Sequence, residues 1–356
     1  LKQIKARNTE IIYDSENVCL CQIIKPNNFL QFEFIDFSNE MEHLKQLSNS
    51  DKETLEGIRK ITGVKPEFHQ IDLCNKERLQ QFFRDQEGIA AVVHFAAYKA
   101  VGESSEFPLK YSRNNIHSTL NLLECMSDFK VPNIVFSSSC TVYGQPDTLP
   151  VDENAPVKEP LSPYGSTKQV AERMIADTTV ASGQLRGISL RYFNPIGAHP
   201  SAHIGEKPQG IPNNLLPYIT QTALGIREEL KVFGDDYNTP DGTAIRDYIN
   251  VVDLSKAHVK AIERLMKGNY KKAYEFFNVG TGKGNSVMEI IRAFEKATGQ
   301  KINYKIVGRR AGDIEQVYAD TSIANKELGW KAEKSLEETL RSAWNWETKY
   351  RNSIKE

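Results

Sequence analysis

Tyr164 and Lys168 lie four residues apart, and Ser139 precedes them by 25 residues in the run Ser137-Ser138-Ser139-Cys140-Thr141-Val142-Tyr143-Gly144. On a helix such a Tyr and Lys share one face. A free phenol titrates near a pKa of about 10 and is a weak base at neutral pH. A nearby ammonium favours the phenolate, which makes proton exchange with a substrate hydroxyl feasible. The Ser139 hydroxyl would hold that oxygen or relay its proton. A chain of this composition supplies a Tyr/Lys pair at this spacing by chance, so the value of the pair lies in its context. The serine run follows an apolar stretch, and Pro163 suits the start of a helix.

The elements that must position these groups are legible as short apolar runs. Ile89 to Phe95, Asn133 to Ser137 and Gly187 to Tyr192 have strand length, and a helical stretch around Ser118 to Phe129 separates the first two. Apolar strands alternating with helices of about ten residues or more predict a parallel sheet covered on both faces, a doubly wound α/β domain of Rossmann type. Ser50/Glu53, Ser286/Glu289 and Ser335/Glu338 have the spacing of capping boxes. Beyond residue 194 the texture changes, with Pro-, Gly- and Asn-rich segments at 199–214 and 234–243. That pattern predicts a smaller domain holding a ligand over the carboxyl edge of the sheet, where open α/β sheets bind.

Composition excludes several classes. With 45 Lys+Arg against 46 Asp+Glu, the net charge is -1, and no basic excess exists to neutralise nucleic-acid phosphates. Five scattered cysteines favour reduced thiols over a disulfide framework, and Cys19 and Cys21 have no second Cys/His pair to complete a metal site. No apolar run approaches the roughly 20 residues of a membrane span. The expectation is a soluble cytoplasmic protein without metal, membrane or nucleic-acid partner.

One feature conflicts with a nucleotide-binding fold. The first glycine of the chain is Gly57. A dinucleotide phosphate turn needs glycines for its tight bend and for close backbone approach to pyrophosphate. Val18 to Ile24 and Phe29 to Phe37 read as strands, and Asp36-Phe37-Ser38-Asn39 imitates an acidic strand end. Neither supplies the turn.

From about Leu47 onward the chain resembles the UDP-glucose 4-epimerase family of extended short-chain dehydrogenase/reductases. The resemblance rests on long strings: His94-Phe95-Ala96-Ala97-Tyr98-Lys99-Ala100-Val101-Gly102-Glu103-Ser104, the serine run through Gly144, Ser162-Pro163-Tyr164-Gly165-Ser166-Thr167-Lys168, Arg191 to Pro200, Gly210 to Leu215, and Asp241 to Tyr248. It implies NAD as a tightly held cofactor and UDP-galactose and UDP-glucose as substrates, interconverted through a 4-keto sugar by a homodimer. It also implies three parts: an atypical segment 1–46, an NAD-binding domain 47–193, and a mainly UDP-sugar-binding part 194–356 with segments returning to the sheet. Tyr164 would be the acid/base, Lys168 the group that lowers its pKa, and Ser139 the hydroxyl beside the sugar. Asp72, Leu73, Phe95, Lys99 and Asn115 match cofactor positions. Asn194, Asn214, Phe233, Arg246, Arg310 and Asp313 match UDP-binding positions. Val317 stands where the family lines its sugar pocket, and its small size implies that N-acetylated UDP-sugars are also accepted.

Plainer readings stand beside these. Arg246-Asp247 reads equally as a surface ion pair, and His94 as a core residue. Lys45 falls where the family carries the acidic end of its second strand. Two explanations of the N-terminus compete. In one, residues 1–46 are a misread or joined sequence replacing the first β-α-β unit. In the other, the protein has lost the phosphate turn and binds UDP-sugars without catalysis.

Overall fold

The three apolar runs become strands of one sheet in the computed structural model, which describes residues 21–24, 33–36, 53–64, 66–86, 88–208, 210–310 and 313–354. The chain runs β1 (Cys21–Ile24), β2 (Glu33–Asp36), α1 (Glu53–Thr62), β3 (Glu67–Gln70), α2 (Lys76–Asp85), β4 (Ala91–His94), α3 (Val101–Glu106), α4 (Pro108–Asp128), β5 (Asn133–Ser139), α5 (Pro163–Ser182) and β6 (Arg186–Tyr192). It continues as β7 (Asn194–Ile196), α6 (Leu215–Ala223), β8 (Leu230–Phe233), β9 (Ile245–Arg246), β10 (Tyr248–Asn250), α7 (Val251–Met266) and β11 (Tyr274–Val279). The last elements are β12 (Asn285–Ser286), α8 (Val287–Thr298), β13 (Tyr304–Val307), β14 (Gln316–Val317) and α9 (Leu336–Ser353).

The main sheet has seven strands in the order β11-β6-β5-β4-β1-β2-β3, a doubly wound arrangement. Strand alternation sends its side chains into two cores. Val92, Ile134 and Phe136 pack against Leu79 and Phe83 of α2, Leu122 and Met126 of α4, and Ala171 and Ile175 of α5. Val93, Val135, Ile188 and Leu190 face Leu254, Ala257, Ala261 and Leu265 of α7. Because both faces are covered, β4 and β5 are buried along their whole length, which is why they read as continuous apolar runs. α7 and β11 thus return to the main sheet. A third core joins Leu216 and Ile219 of α6, Val232 of β8, Ile291 and Phe294 of α8 and Leu340 of α9.

One strand departs from the parallel pattern. β1 runs antiparallel to both neighbours, with Cys21 opposite His94 and Ile24 opposite Ala91. The link from Ile24 to Glu33 holds eight residues. A parallel crossover needs a dozen or more, so this link permits only reversal. Both N-terminal strands fall within the stretches expected of them, and β2 ends at Asp36, parallel to β3. Gly57 proves to be a packing glycine. It lies in α1, where a Cβ would come within 2.7 Å of the His203 carbonyl and 2.6 Å of Ile204.

The capping boxes at Ser286/Glu289 and Ser335/Glu338 form as their spacing predicts, while Ser50 lies outside the described residues. Among the described residues, no helix is long and apolar enough to cross a membrane.

Candidate active site

β5 delivers its three serines to the carboxyl edge, where Ser139 caps a short 3-10 turn by accepting from Thr141 N at 3.2 Å. α5 begins opposite. Ser162 caps it by accepting from Gly165 N at 3.2 Å, and Pro163 occupies the first turn, where its missing N–H has no consequence. Tyr164 and Lys168 therefore project from the first two turns toward the serine strand. Both are buried.

The Lys168 ammonium donates to the Ser137 carbonyl at 2.6 Å and lies 4.7 Å from the Phe136 ring centroid and 5.8 Å from that of Tyr164. Burial, and after it Tyr192, raises the Tyr164 phenol well above its usual value, while a hydrogen bond with Ser139 acts in the opposite sense. The Lys168 ammonium is directed to the Ser137 carbonyl, and desolvation is the largest influence on the enclosed phenol.

Beneath the pair, His94 is fully buried, with Nε2 3.0 Å from Thr119 Oγ1. Burial, reinforced by Lys168, lowers its pKa to about 3, so it is a neutral core residue. Asn115 acts as a bracket. Its Oδ1 accepts from Tyr98 N at 2.8 Å, and its Nδ2 donates to Tyr98 O at 3.0 Å and Thr167 Oγ1 at 2.9 Å. This ties α4 to α5 and to the loop that carries Lys99. Phe95 leaves β4 with its ring centroid 4.9 Å from that of His258. Asp72 and Leu73 follow β3, where Asp72 Oδ1 accepts from Cys74 N at 2.8 Å and the Leu73 side chain is buried.

The second group assembles from distant segments. Arg310 grips Asp313 through Nη2 at 2.8 Å and Nε at 3.2 Å, and its guanidinium lies 5.6 Å from the Phe233 ring centroid. Arg246 Nη2 is 3.8 Å from the same carboxylate. Val317 pairs with Arg246 across β14 and β9 and is buried with Cys140, Tyr143 and Phe193. Burial pushes the Cys140 thiol up to about 12 while Arg246 pulls the other way, and Val317, paired with Arg246, packs with Cys140 in the turn that follows Ser139. Asn194 stands at the start of β7, where its N–H donates to the Asp247 carbonyl at 2.9 Å. Asn214 stands at the N-cap position of α6 without a side-chain cap bond, and its Nδ2 donates to Glu206 Oε1 at 2.6 Å.

Sequence reasoning missed three residues that brace the site. Asp247 is buried and accepts from Thr281, Gly282 and Ala319, so the reading of Arg246-Asp247 as a surface ion pair is set aside. Glu172 and Arg191 form a buried pair behind the serines. Helical spacing carried a signal for Glu172, which lies four residues after Lys168 on the same face.

A serine at a strand end with a Tyr and a Lys one helical turn apart, on a doubly wound sheet, defines the class of short-chain dehydrogenase/reductases. The family model described as GDP-mannose 4,6 dehydratase matches residues 35–343. A UDP-glucose 4-epimerase of Bacillus subtilis is 46% identical over 91% of this chain and 94% of its own length. The crystal structure of UDP-glucose 4-epimerase from Bifidobacterium longum in complex with NAD+ and UDP superimposes with a TM-score of 0.82 at 46% identity, covering 85% of this chain and 89% of that one. The UDP-Glc/GlcNAc 4-epimerase of Campylobacter jejuni gives 0.71 at 36%, covering 85% and 90%. The chain belongs to the UDP-glucose 4-epimerase family. The family match begins ahead of Leu47, at the residue before the end of β2.

The two ends of a dinucleotide fare differently here. Ser139, Tyr164, Lys168 and the Asn115 bracket form a buried polar edge that fits a nicotinamide ribose. At the pyrophosphate position β1 starts at the ligand edge and runs away from it instead of arriving there, since Cys21 pairs with His94. A strand that starts there cannot lead into a turn and helix N-terminus, the usual phosphate cradle. Residues 25–32 and 37–52 lie outside the described ones.

Proposed function

We propose that this protein interconverts UDP-galactose and UDP-glucose, with NAD as its cofactor. One observation carries the reading. The Ser139/Tyr164 edge and the Phe233, Arg246, Arg310 and Asp313 group are joined through Val317 and Cys140, so a nucleotide held at one side presents its sugar to the other.

Arg246 and Arg310 suit the diphosphate, because a guanidinium fork binds two oxygens at once. Asn194 and Asn214 would supply side-chain amides, Phe233 a ring face to the uracil, and Asp313 an acceptor for the uridine ribose. Asp72, Leu73, Phe95, Lys99 and Asn115 would hold the cofactor. Tyr164 Oη exchanges a proton with the sugar O4 while the Ser139 hydroxyl holds that oxygen in line. Lys168 fixes the phenol by anchoring α5 to the Ser137 carbonyl. NAD, when bound, supplies the acceptor for the C4 hydrogen with its electron pair and returns it after the 4-keto sugar has turned over. Tight anchoring of UDP and loose holding of the sugar permit that turn. Val317 leaves room for an N-acetyl group, so UDP-GlcNAc and UDP-GalNAc are included in the proposed range.

The setting we propose is a cytoplasmic homodimer, for which exposed Leu109 and Leu120 on α4 and Val180 on α5 offer an apolar face. The division at residues 193/194, with an atypical segment 1–46, is retained as the domain proposal. A UDP-sugar binder without catalysis is not the favoured reading, because the relatives named as epimerases match most of the chain. Conversion of UDP-galactose to UDP-glucose by purified protein, with absorbance of copurified NAD, tests the proposal. Tyr164→Phe should abolish turnover while retaining UDP binding. UDP binding without conversion in the wild type would reject it.

A further inference from the structure

α5 presents three residues on one face at successive turns, Tyr164, Lys168 and Glu172, and the three serines of β5 answer them. The Ser139 hydroxyl draws the Tyr164 pKa down against burial, the Ser137 carbonyl accepts from Lys168 at 2.6 Å, and Ser138 Oγ donates to Glu172 Oε1 at 2.5 Å. Arg191 lies directly across the β5/β6 ladder from Ser138. It closes a fork on the same carboxylate, with Nε 2.9 Å from Oε1 and Nη2 2.6 Å from Oε2. The Glu172 carboxylate thus has three donors, and both partners are buried, at 9% and 4% side-chain exposure. The other face of the guanidinium is used as well. It lies 4.0 Å from the Phe276 ring centroid and 4.9 Å from that of Tyr143, which ends the turn after Ser139.

Arg191 therefore touches both segments whose separation the chemistry depends on: α5 with Tyr164, and the β5 turn with Ser139. A buried ion pair is poor evidence of stability, because desolvation offsets most of its attraction. A planar bidentate fork does define an angle and a distance. We propose that Glu172 and Arg191 are positioning residues that set the spacing between the Tyr164 phenol and the Ser139 hydroxyl. This rests on the proton-transfer roles given to those two residues above. Loosening the pair leaves the UDP anchors untouched and misplaces the acid/base, so the loss falls on kcat and not on KM. Misplacement by about 1 Å costs on the order of 100-fold in rate.

The experiment uses the full chain with NAD bound. Wild type, Glu172→Gln and Ser138→Ala are compared in UDP-galactose to UDP-glucose kinetics well below each thermal midpoint, with UDP affinity measured by calorimetry. Glu172→Gln removes the charge that Arg191 grips, and Ser138→Ala keeps the ion pair and loses only the third donor. The expected result is a kcat lowered roughly 10- to 100-fold in Glu172→Gln and several-fold in Ser138→Ala, with KM and UDP affinity within about twofold. If Glu172→Gln does not fold, Ser138→Ala decides alone. Unchanged kcat in a folded variant, or a raised KM at constant kcat, overturns the inference. Absence of epimerisation in the wild type would instead reject the functional reading beneath it.

Discussion

Arg246 and Asp247 are chain neighbours that face opposite ways. The guanidinium of Arg246 reaches toward Asp313, with Nη2 at 3.8 Å, while the Asp247 carboxylate turns inward and is fully buried. There Oδ1 accepts from Thr281 N at 2.8 Å and Thr281 Oγ1 at 2.6 Å, and Oδ2 accepts from Gly282 N at 3.1 Å and Ala319 N at 3.2 Å. Strand alternation explains the opposition, since successive side chains leave opposite faces. One residue thus faces Asp313 in the proposed UDP site while the next ties together the loops after β11 and β14.

That knot gives a first prediction. A Cβ on Gly280 would lie 2.4 Å from Asp247 Oδ2 and 2.8 Å from the Ala319 Cβ. Gly280→Ala should destabilise the protein by about 1–3 kcal/mol through overpacking and weaken UDP binding by displacing Arg246. Urea unfolding and calorimetry with UDP measure the two effects. A variant as stable as wild type would show that the loops yield without strain.

The anion-binding group gives a second. Hydrogen bonds to charged groups contribute about 1.5–3 kcal/mol each. Arg246→Ala and Arg310→Ala should each weaken UDP affinity by roughly 10- to 100-fold. Arg310→Lys should recover little of this, because an ammonium lacks the fork. Full affinity in Arg310→Lys would mean that only charge is read there.

Val317 carries the specificity prediction. It is buried with Cys140 and Phe193, beside the turn that follows Ser139. Val317→Tyr adds bulk at that point and should remove turnover of UDP-GlcNAc while keeping activity on UDP-glucose. A thermal midpoint near that of wild type separates this from simple overpacking. If wild type and variant fail equally on UDP-GlcNAc, Val317 does not set substrate breadth.

Two buried histidines predict sensitivity to acid. Burial holds His94 at a pKa of about 3 and His258 at about 4. In the unfolded chain a histidine titrates near about 6.5. The folded values are depressed, so the stability these groups contribute is complete above about pH 6.5 and is lost as pH falls toward the folded values. Each contributes a slope of about 1.4 kcal/mol per pH unit across that window. His258→Phe keeps a ring against Phe95 and Tyr192 and should remove one such slope between pH 6 and pH 4.5, read from urea unfolding at several pH values. An unchanged pH dependence would show that His258 is not held neutral.

The sequence by itself determined what depends on neighbours along the chain. The apolar runs that became β4, β5 and β6, the capping boxes of α8 and α9, and the shared face of Tyr164 and Lys168 follow from periods of 2 and 3.6 and from side chains bonding backbone within a turn. Tertiary structure decided what depends on contacts between distant segments. It buried the Tyr164 phenol, and desolvation raises its pKa. It turned Asp247 inward to loops 34 and 72 residues further on. It closed Arg191 on Glu172 across 19 residues and a helix-to-sheet interface. Those outcomes are set by which surfaces exclude water and which strands lie side by side, and neither is a property of any local stretch of chain.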